Sequence, residues 1–277
     1  MANKMLIAAN AFAIILIVSV STAAQKPNTK PAAARTDTSS DPHTAQPERP
    51  TVATHAGTVA PGWFEIETGV ERDRIDPKAT LISTPTVFKF GLAPRVQLSV
   101  FGTVIRPPGS SAGVGDAAVG VKWRLLEDAP LLADVAILPV LKVPTGSAET
   151  GTKTTDVSIL LISSHPFGDV AMDLNAGYTH RSGDGTNAPT NATAWTASFG
   201  GPLAGPVGWV AECYGYPATS GPSGQRSIVA LLGGPTFTLR PWLVFDAGVI
   251  VPVTGPQPRA LYAGAVYNVG RIWRSRR

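Results

Sequence analysis

The chain has a single cysteine, Cys213, which excludes an internal disulfide framework and a thiolate metal cluster. Its four histidines, His43, His55, His165 and His180, are scattered through the sequence, so no zinc-like ligand spacing appears. Charge is scarce too, with 15% charged residues and a net charge of +4 that comes partly from the terminal run RIWRSRR. That surplus is too small and too local for a nucleic-acid partner. Beyond the first two dozen residues, no apolar run approaches the roughly 20 residues of a membrane helix, so any further crossing must be made by strands. Glycine (28) and proline (25) are abundant instead, which favours many short strands joined by tight turns.

The N-terminal residues read as an address. Lys4 precedes an apolar run from Met5 to Val20, and Ser21, Thr22, Ala23 and Ala24 supply small residues for cleavage, the layout of a secretory signal over 1–24. Residues 25–58 are rich in Pro, Thr, Ala, Ser and Gln and poor in large apolar side chains, and they read as a flexible periplasmic leader.

From residue 59 to 277 the texture changes to alternating segments separated by turn residues. In GDAAVGVKWRLL, Asp116, Lys122 and Arg124 share one face, while Val119, Val121, Trp123 and Leu125 share the other. GWFEIETGVE sets Glu65, Glu67 and Glu71 against Phe64, Ile66 and Val70, and DVAMDLNAGYTH and WLVFDAGVIV divide in the same way. Strands at about 62–72, 84–92, 95–105, 115–126, 131–143, 155–164, 169–181, 192–202, 207–216, 226–239, 242–253 and 259–269 make about twelve, an even number. Short connections follow the even-numbered strands, and longer ones follow most odd-numbered strands. A sandwich has no reason to alternate so regularly, whereas short periplasmic turns opposite longer extracellular loops are expected of a bacterial outer-membrane barrel. The fold class is therefore all-β: one transmembrane antiparallel β-barrel with both termini on the periplasmic side. Its apolar face meets lipid, Trp123 lies near the periplasmic girdle, and the charged face lines a polar lumen.

PGWFEIETGVERD, FKFGLAPRVQLSV, GDAAVGVKWRLL, AILPVLKVPTG, DLNAGYTH and PWLVFDAGVIVPV occur in an order that resembles a family of outer-membrane barrels linked to transport in the meta-cleavage pathway of phenol degradation. The resemblance spans about Val59 to Val269. It implies passage of small molecules, aromatic or hydrophobic ones included, with no cofactor and no catalytic residues. The partners it implies are outer-membrane lipid, the barrel assembly machinery and a small solute. The end of the chain departs from the pattern, because YAGAVYNV is followed by a basic tail.

The lumen-facing ionisable set by parity is Glu65, Glu67, Glu71, Lys89, Arg95, Asp116, Lys122, Arg124, Asp134, Lys142, Asp173, Glu212 and Asp246. Mixed signs fit either ion pairs that fill the interior or a pore with opposed acidic and basic walls. Glu65, Glu67, Lys89, Arg95, Lys122 and Arg124, on the first four strands, are the expected constriction. Two alternatives stay open: a filled barrel that serves as a structural or binding protein, and a lipid hydrolase. For the latter, GYTHRSGDG places His180 and Ser182 on one strand face as base and nucleophile, similar to outer-membrane phospholipase A, with Asn187 or Asn191 to orient the base. Gly183 and Asp184 stand where that family has Asn-Gly, and the sequence is not read as an enzyme. GSAETGTKT lacks the Gly-Lys-Thr order of a phosphate loop and has no helix pattern after it.

Overall fold

The structure, a computed structural model, describes residues 41–185, 189–218 and 226–273. The expected signal peptide, the leader as far as residue 40, Asn187 and the last four residues of the basic tail lie outside them. Twelve long strands form the wall: β1 Trp63–Arg74, β2 Thr80–Ala93, β3 Val96–Arg106, β4 Ala117–Ala129, β5 Ala133–Val143, β6 Asp156–Phe167, β7 Val170–Arg181, β8 Asn191–Ala204, β9 Val207–Tyr216, β10 Ile228–Arg240, β11 Leu243–Thr254 and β12 Arg259–Arg271. A two-residue piece, Gly113–Val114, pairs with the outer end of β3 and continues into β4 across an irregular step at Gly115 and Asp116. Each strand pairs antiparallel with its sequence neighbours, and β1 pairs with β12 from Trp63↔Arg271 to Arg74↔Arg259, which closes the sheet. Closure removes both edges, as a hydrocarbon surround requires.

Five connections at one end are two or three residues long, at 94–95, 130–132, 168–169, 205–206 and 241–242, while those at the other end, such as 107–116 and 144–155, are mostly longer. The strands run further than the hydrophobic pattern suggested, so the first long loop shrinks from 73–83 to 75–79. The tight turns use left-handed backbone, at Gly168 (φ 61°), at Gly205 (φ 52°) and, in an L-residue, at Arg95 (φ 67°). Strand β12 ends at Arg271, and the Ile272 and Trp273 amides donate to the Gly62 carbonyl beside the start of β1.

The period-2 division holds round the wall. Trp123, 52% exposed, Val119 and Val121 point outward, while Lys122 is fully buried and Arg124 nearly so. The outward rows of β4 to β12 carry large apolar side chains with no protein cover, the surface a lipid belt would take. Inside, the lumen is divided. Charged and amide side chains dominate the β1–β4 side, whereas Tyr214, Tyr216, Ile228, Leu232, Ile250 and Tyr262 form an apolar and aromatic cluster on β9–β12. These inward apolar residues were not expected from a polar-lumen reading.

Candidate functional site: a loop seated in the lumen

Residues 41–58 correct the expected leader: they lie inside the barrel. The chain enters from the short-turn end ahead of β1 and runs once round the inner wall. From residue 59 back to residue 41, it ends its circuit at the same end beside β12. The Val59 amide donates to Gln97 Oε1 on β3 (2.9 Å), and the Ala56 amide to Ser164 Oγ on β6 (2.8 Å), which itself donates to Asp173 on β7. Thr54 exchanges two bonds of 2.7 Å with the Asn175 side chain on β7. The Ala53 and Val52 amides donate to the two carboxylate oxygens of Glu212 on β9, both at 2.7 Å. Arg49 reaches Asp246 on β11 at 3.3 Å. The Glu48 and Gln46 amides donate to Glu67 and Glu65 on β1, each at 2.8 Å. Asn268 Nδ2 on β12 donates to the Thr44 and Pro42 carbonyls, and His43 packs between Trp63 and Trp242.

The physical logic is backbone satisfaction. A segment without a sheet partner carries amide donors that must be paired once buried, and here side-chain carboxylates and amides of the wall accept them. Prolines 42, 47 and 50 reduce the number of donors to be met. Glu65, Glu67 and Glu212 are thus first of all acceptors for the loop.

Two lysines tie the loop to itself and to the wall. Lys89 Nζ lies 2.6 Å from Glu65, 2.5 Å from Glu67 and 2.5 Å from the Gln46 carbonyl. Lys122 Nζ pairs with Glu48 and donates to the His55 carbonyl (2.9 Å), the Gly57 carbonyl (3.0 Å) and Thr54 Oγ1 (3.2 Å). It therefore joins the entering limb at 54–57 to the returning limb at 48. Arg49 is seated by absence: a Cβ at Gly69 would stand 2.6 Å from its Cζ, and one at Gly264 would stand 2.5 Å from its Nε. The two glycines, paired across β1 and β12, form the notch in which the guanidinium lies.

Of the remaining expected residues, Glu71 faces the lumen on the outer half of β1. Arg124 pairs with Glu127 and Asp134 near the short-turn end. Arg95 is a correction: alternation stops at the turn, where its left-handed backbone swings the side chain out to pair with Glu127, 46% exposed. Of the six residues expected to form a constriction, Glu65, Glu67, Lys89 and Lys122 meet in one cluster with Glu48 and Gln97, and Arg95 and Arg124 are outside it.

A second charged chain lies at the outer mouth. Asp116, Lys142, Asp156 and Arg181 alternate in sign across β4 to β7, with Lys142 Nζ 3.1 Å from both carboxylates and Arg181 3.7 Å from Asp156. The loop 144–155 folds onto this chain: Gly146 and Thr152 donate their amides to Asp116, and Thr150 is buried against the Val114 carbonyl. Burial opposes the charge of Asp116, but the bonds from Thr152, Gly146 and Lys142 outweigh it and hold the carboxyl below its ordinary pKa.

On the outer wall, His180 Nδ1 stands 3.0 Å from Asn191 Oδ1, which also accepts from Tyr178, so Asn191 is the partner of that histidine. Ser182 Oγ accepts the Thr155 amide at 2.8 Å, and no hydrogen bond between Ser182 and His180 is present among the described residues. Those residues also contain no cluster of metal-ligating side chains.

A closed twelve-strand barrel with an apolar outer belt and a charged interior occupied by its own N-terminal loop defines an outer-membrane barrel of the plugged kind. The chain belongs to the family described as "Putative MetA-pathway of phenol degradation", whose model matches residues 48–268, from the middle of the seated loop to the last strand. Among solved structures, an outer membrane channel from Pseudomonas putida F1 is similar in fold, at 12% identity and a TM-score of 0.55 over 76% of this chain and 97% of that one. Outer membrane phospholipase A from Escherichia coli aligns at 9% identity with a TM-score of 0.44, over 82% and 96% of the two chains. A search of curated proteins finds no match.

Proposed function

We propose that the protein is a passive outer-membrane channel for small molecules, aromatic or hydrophobic ones included, whose gate is the loop 41–60. The observation that carries this is the chemistry of the seat. The loop's fully buried apolar side chains are only Ala45, Ala53, Ala56 and Val59, and apart from Val52 and Ala56 against small apolar clusters of the wall and His43 between Trp63 and Trp242, it is held by hydrogen bonds and ion pairs that water can replace. Releasing it exposes little apolar surface, whereas a permanently filled lumen would be expected to interlock large apolar groups. With the loop released, Glu65, Glu67, Lys89, Gln97 and Lys122 would line the narrow zone and Asp116, Lys142, Asp156 and Arg181 the mouth. These residues then act on permeating charge, and the concentration gradient drives the flow.

A disulfide lock tests the gate. In a Cys213→Ser background, Ala56→Cys and Ser164→Cys place two thiols where the loop amide now meets the wall hydroxyl. Planar-bilayer recordings are expected to show openings in reducing buffer and none after oxidation. Equal currents in both states would sink the gate.

The His180 and Asn191 contact favours a hydrolase as a second reading, but a nucleophile needs its base in reach. A fluorophosphonate probe is expected to leave Ser182 unlabelled in the folded protein, as read by mass spectrometry of the tryptic peptides. Labelling that is lost in Ser182→Ala would reverse the preference.

A further inference from the structure

Arg49 occupies a slot that the wall builds and the loop fills. Gly69 on β1, Gly264 on β12 and Asp246 on β11 stand side by side in one cross-strand row. The glycines leave a gap as deep as one planar group, since a Cβ on Gly264 would stand 2.6 Å from Arg49 Nη2. At the end of the row the buried Asp246 carboxylate takes Arg49 Nε at 3.4 Å on one oxygen and Nη2 at 3.3 Å on the other. That is the two-pronged pairing of a guanidinium. One row further out, Tyr262 stands between Glu71 and Gly248. Its hydroxyl is buried without a hydrogen-bond partner among the described residues, and Glu71 lies within electrostatic range of Arg49.

The hold is snug in shape but long in its bonds. Charge-assisted hydrogen bonds ordinarily measure about 2.7–2.9 Å, so the guanidinium fills the gap without reaching the closest approach to its carboxylate. It hangs from a loop backbone that is fixed on either side, by the Glu48 amide on Glu67 and the Val52 amide on Glu212. Between those two points the Thr51 hydroxyl bonds back to the Glu48 and Ala53 carbonyls, which leaves Arg49 as the polar contact with the wall. A free guanidinium has no such tether and can settle at the shorter spacing.

We propose that this slot is a binding site for small organic cations with a terminal guanidinium, that Arg49 is its tethered occupant, and that a free cation of this class competes for the slot and releases the loop. The proposal rests on the gate reading for what release achieves, although displacement itself does not require conduction. The chemistry selects the class. A planar cation enters the glycine gap and meets both oxygens of Asp246, whereas a compact ammonium offers no matching fork. A neutral solute, planar or apolar, would leave a buried carboxylate without its counter-charge.

The test uses ethylguanidinium, the fragment by which arginine exceeds alanine, on the refolded full chain in detergent. In a Cys213→Ser/Ala56→Cys background, the rate at which a maleimide labels the thiol at position 56 reads the released loop, because Ala56 is buried when the loop is seated. A ligand that binds only the released form multiplies its population by 1 + [L]/Kd. For a Kd on the order of 1 mM, 10 mM cation should speed labelling by about tenfold over equal NaCl, which matches the screening of ion pairs. The neutral isostere N-ethylurea should leave the rate unchanged. Adding Arg49→Ala should raise the basal rate and abolish the response, since the cation then binds seated and released forms alike and shifts nothing. Labelling no faster in ethylguanidinium than in NaCl, equal acceleration by N-ethylurea, or an undiminished response with Arg49→Ala would overturn the site. The first two readings need only the unaltered slot, so they decide even where Arg49→Ala fails to fold. Accelerated labelling with no change of current in planar bilayers would keep the site and remove the loop as gate. Openings that appear in reducing buffer and ignore the cation would keep the gate and remove the site.

Discussion

Replacing Lys122 with methionine is expected to raise the ratio of open to closed time by roughly a hundredfold in planar-bilayer recordings, with the size of each opening little changed. Methionine preserves the length of the stem and removes the ammonium, which is the group that meets Glu48, Thr54 and the carbonyls of His55 and Gly57. Breaking a buried pair from one side costs about 3–5 kcal/mol because the other charge is left uncompensated. Partial relief comes from Lys89, which lies 3.9 Å from Glu48 and can take over part of the pairing. A net loss of about 3 kcal/mol in the seated state corresponds to the hundredfold shift. The wall carries its own strand pairing, so the barrel should remain folded and heat-modifiable. An open fraction that does not move in a folded variant would show that the loop is not the gate.

Deleting residues 41–58 is expected to give a barrel that conducts without closing. Its unitary conductance should equal that of the brief openings of the full chain, because both states are the same empty lumen. In the deletion Lys89 keeps Glu65 and Glu67, and Lys122, freed of Glu48, faces water rather than apolar matter, so the loss of the loop leaves no buried unpaired charge. The combined change Glu65→Gln/Glu67→Gln in this open form should shift ion preference toward anions, since Lys89 and Lys122 would then dominate the narrow zone. A deleted chain that conducts no better than the full one would leave loop 144–155, or the lumen itself, as the barrier. Unchanged selectivity after the double substitution would remove Glu65 and Glu67 from the permeation path.

The wall was legible because its rule is local. Successive side chains alternate between lipid and lumen, so Trp123 and Lys122 could be assigned to opposite faces from adjacency alone. Twelve of the thirteen expected lumen residues face inward or line the mouth. Arg95 fails where the rule must, at a turn with left-handed backbone. The loop was illegible for the opposite reason. Residues 41–58 have neither periodicity nor large apolar groups, and their order comes from acceptors contributed by strands far along the chain, Glu212 and Asp246 among them. One trace was present: two glutamates two residues apart on a lumen face, with a further glutamate and an asparagine opposite, are more acceptors than the cross-strand lysines require. The inward tyrosines are illegible from parity because alternation marks a face as lumen without saying whether that part of the lumen is polar, and one side of it is aromatic.

The seat of the loop also sets an order of events in biogenesis. Its wall partners lie on β1, β3, β6, β7, β9, β11 and β12, so the complete seat exists only after the last strand has closed on the first. The stretch made first is thus the last to find its place. Until then it travels as an extended, water-loving tether, which its composition of proline, threonine and alanine suits. Nothing in it competes with the strands for the apolar contacts of a half-built wall, and its docking marks the moment at which the cylinder is finished.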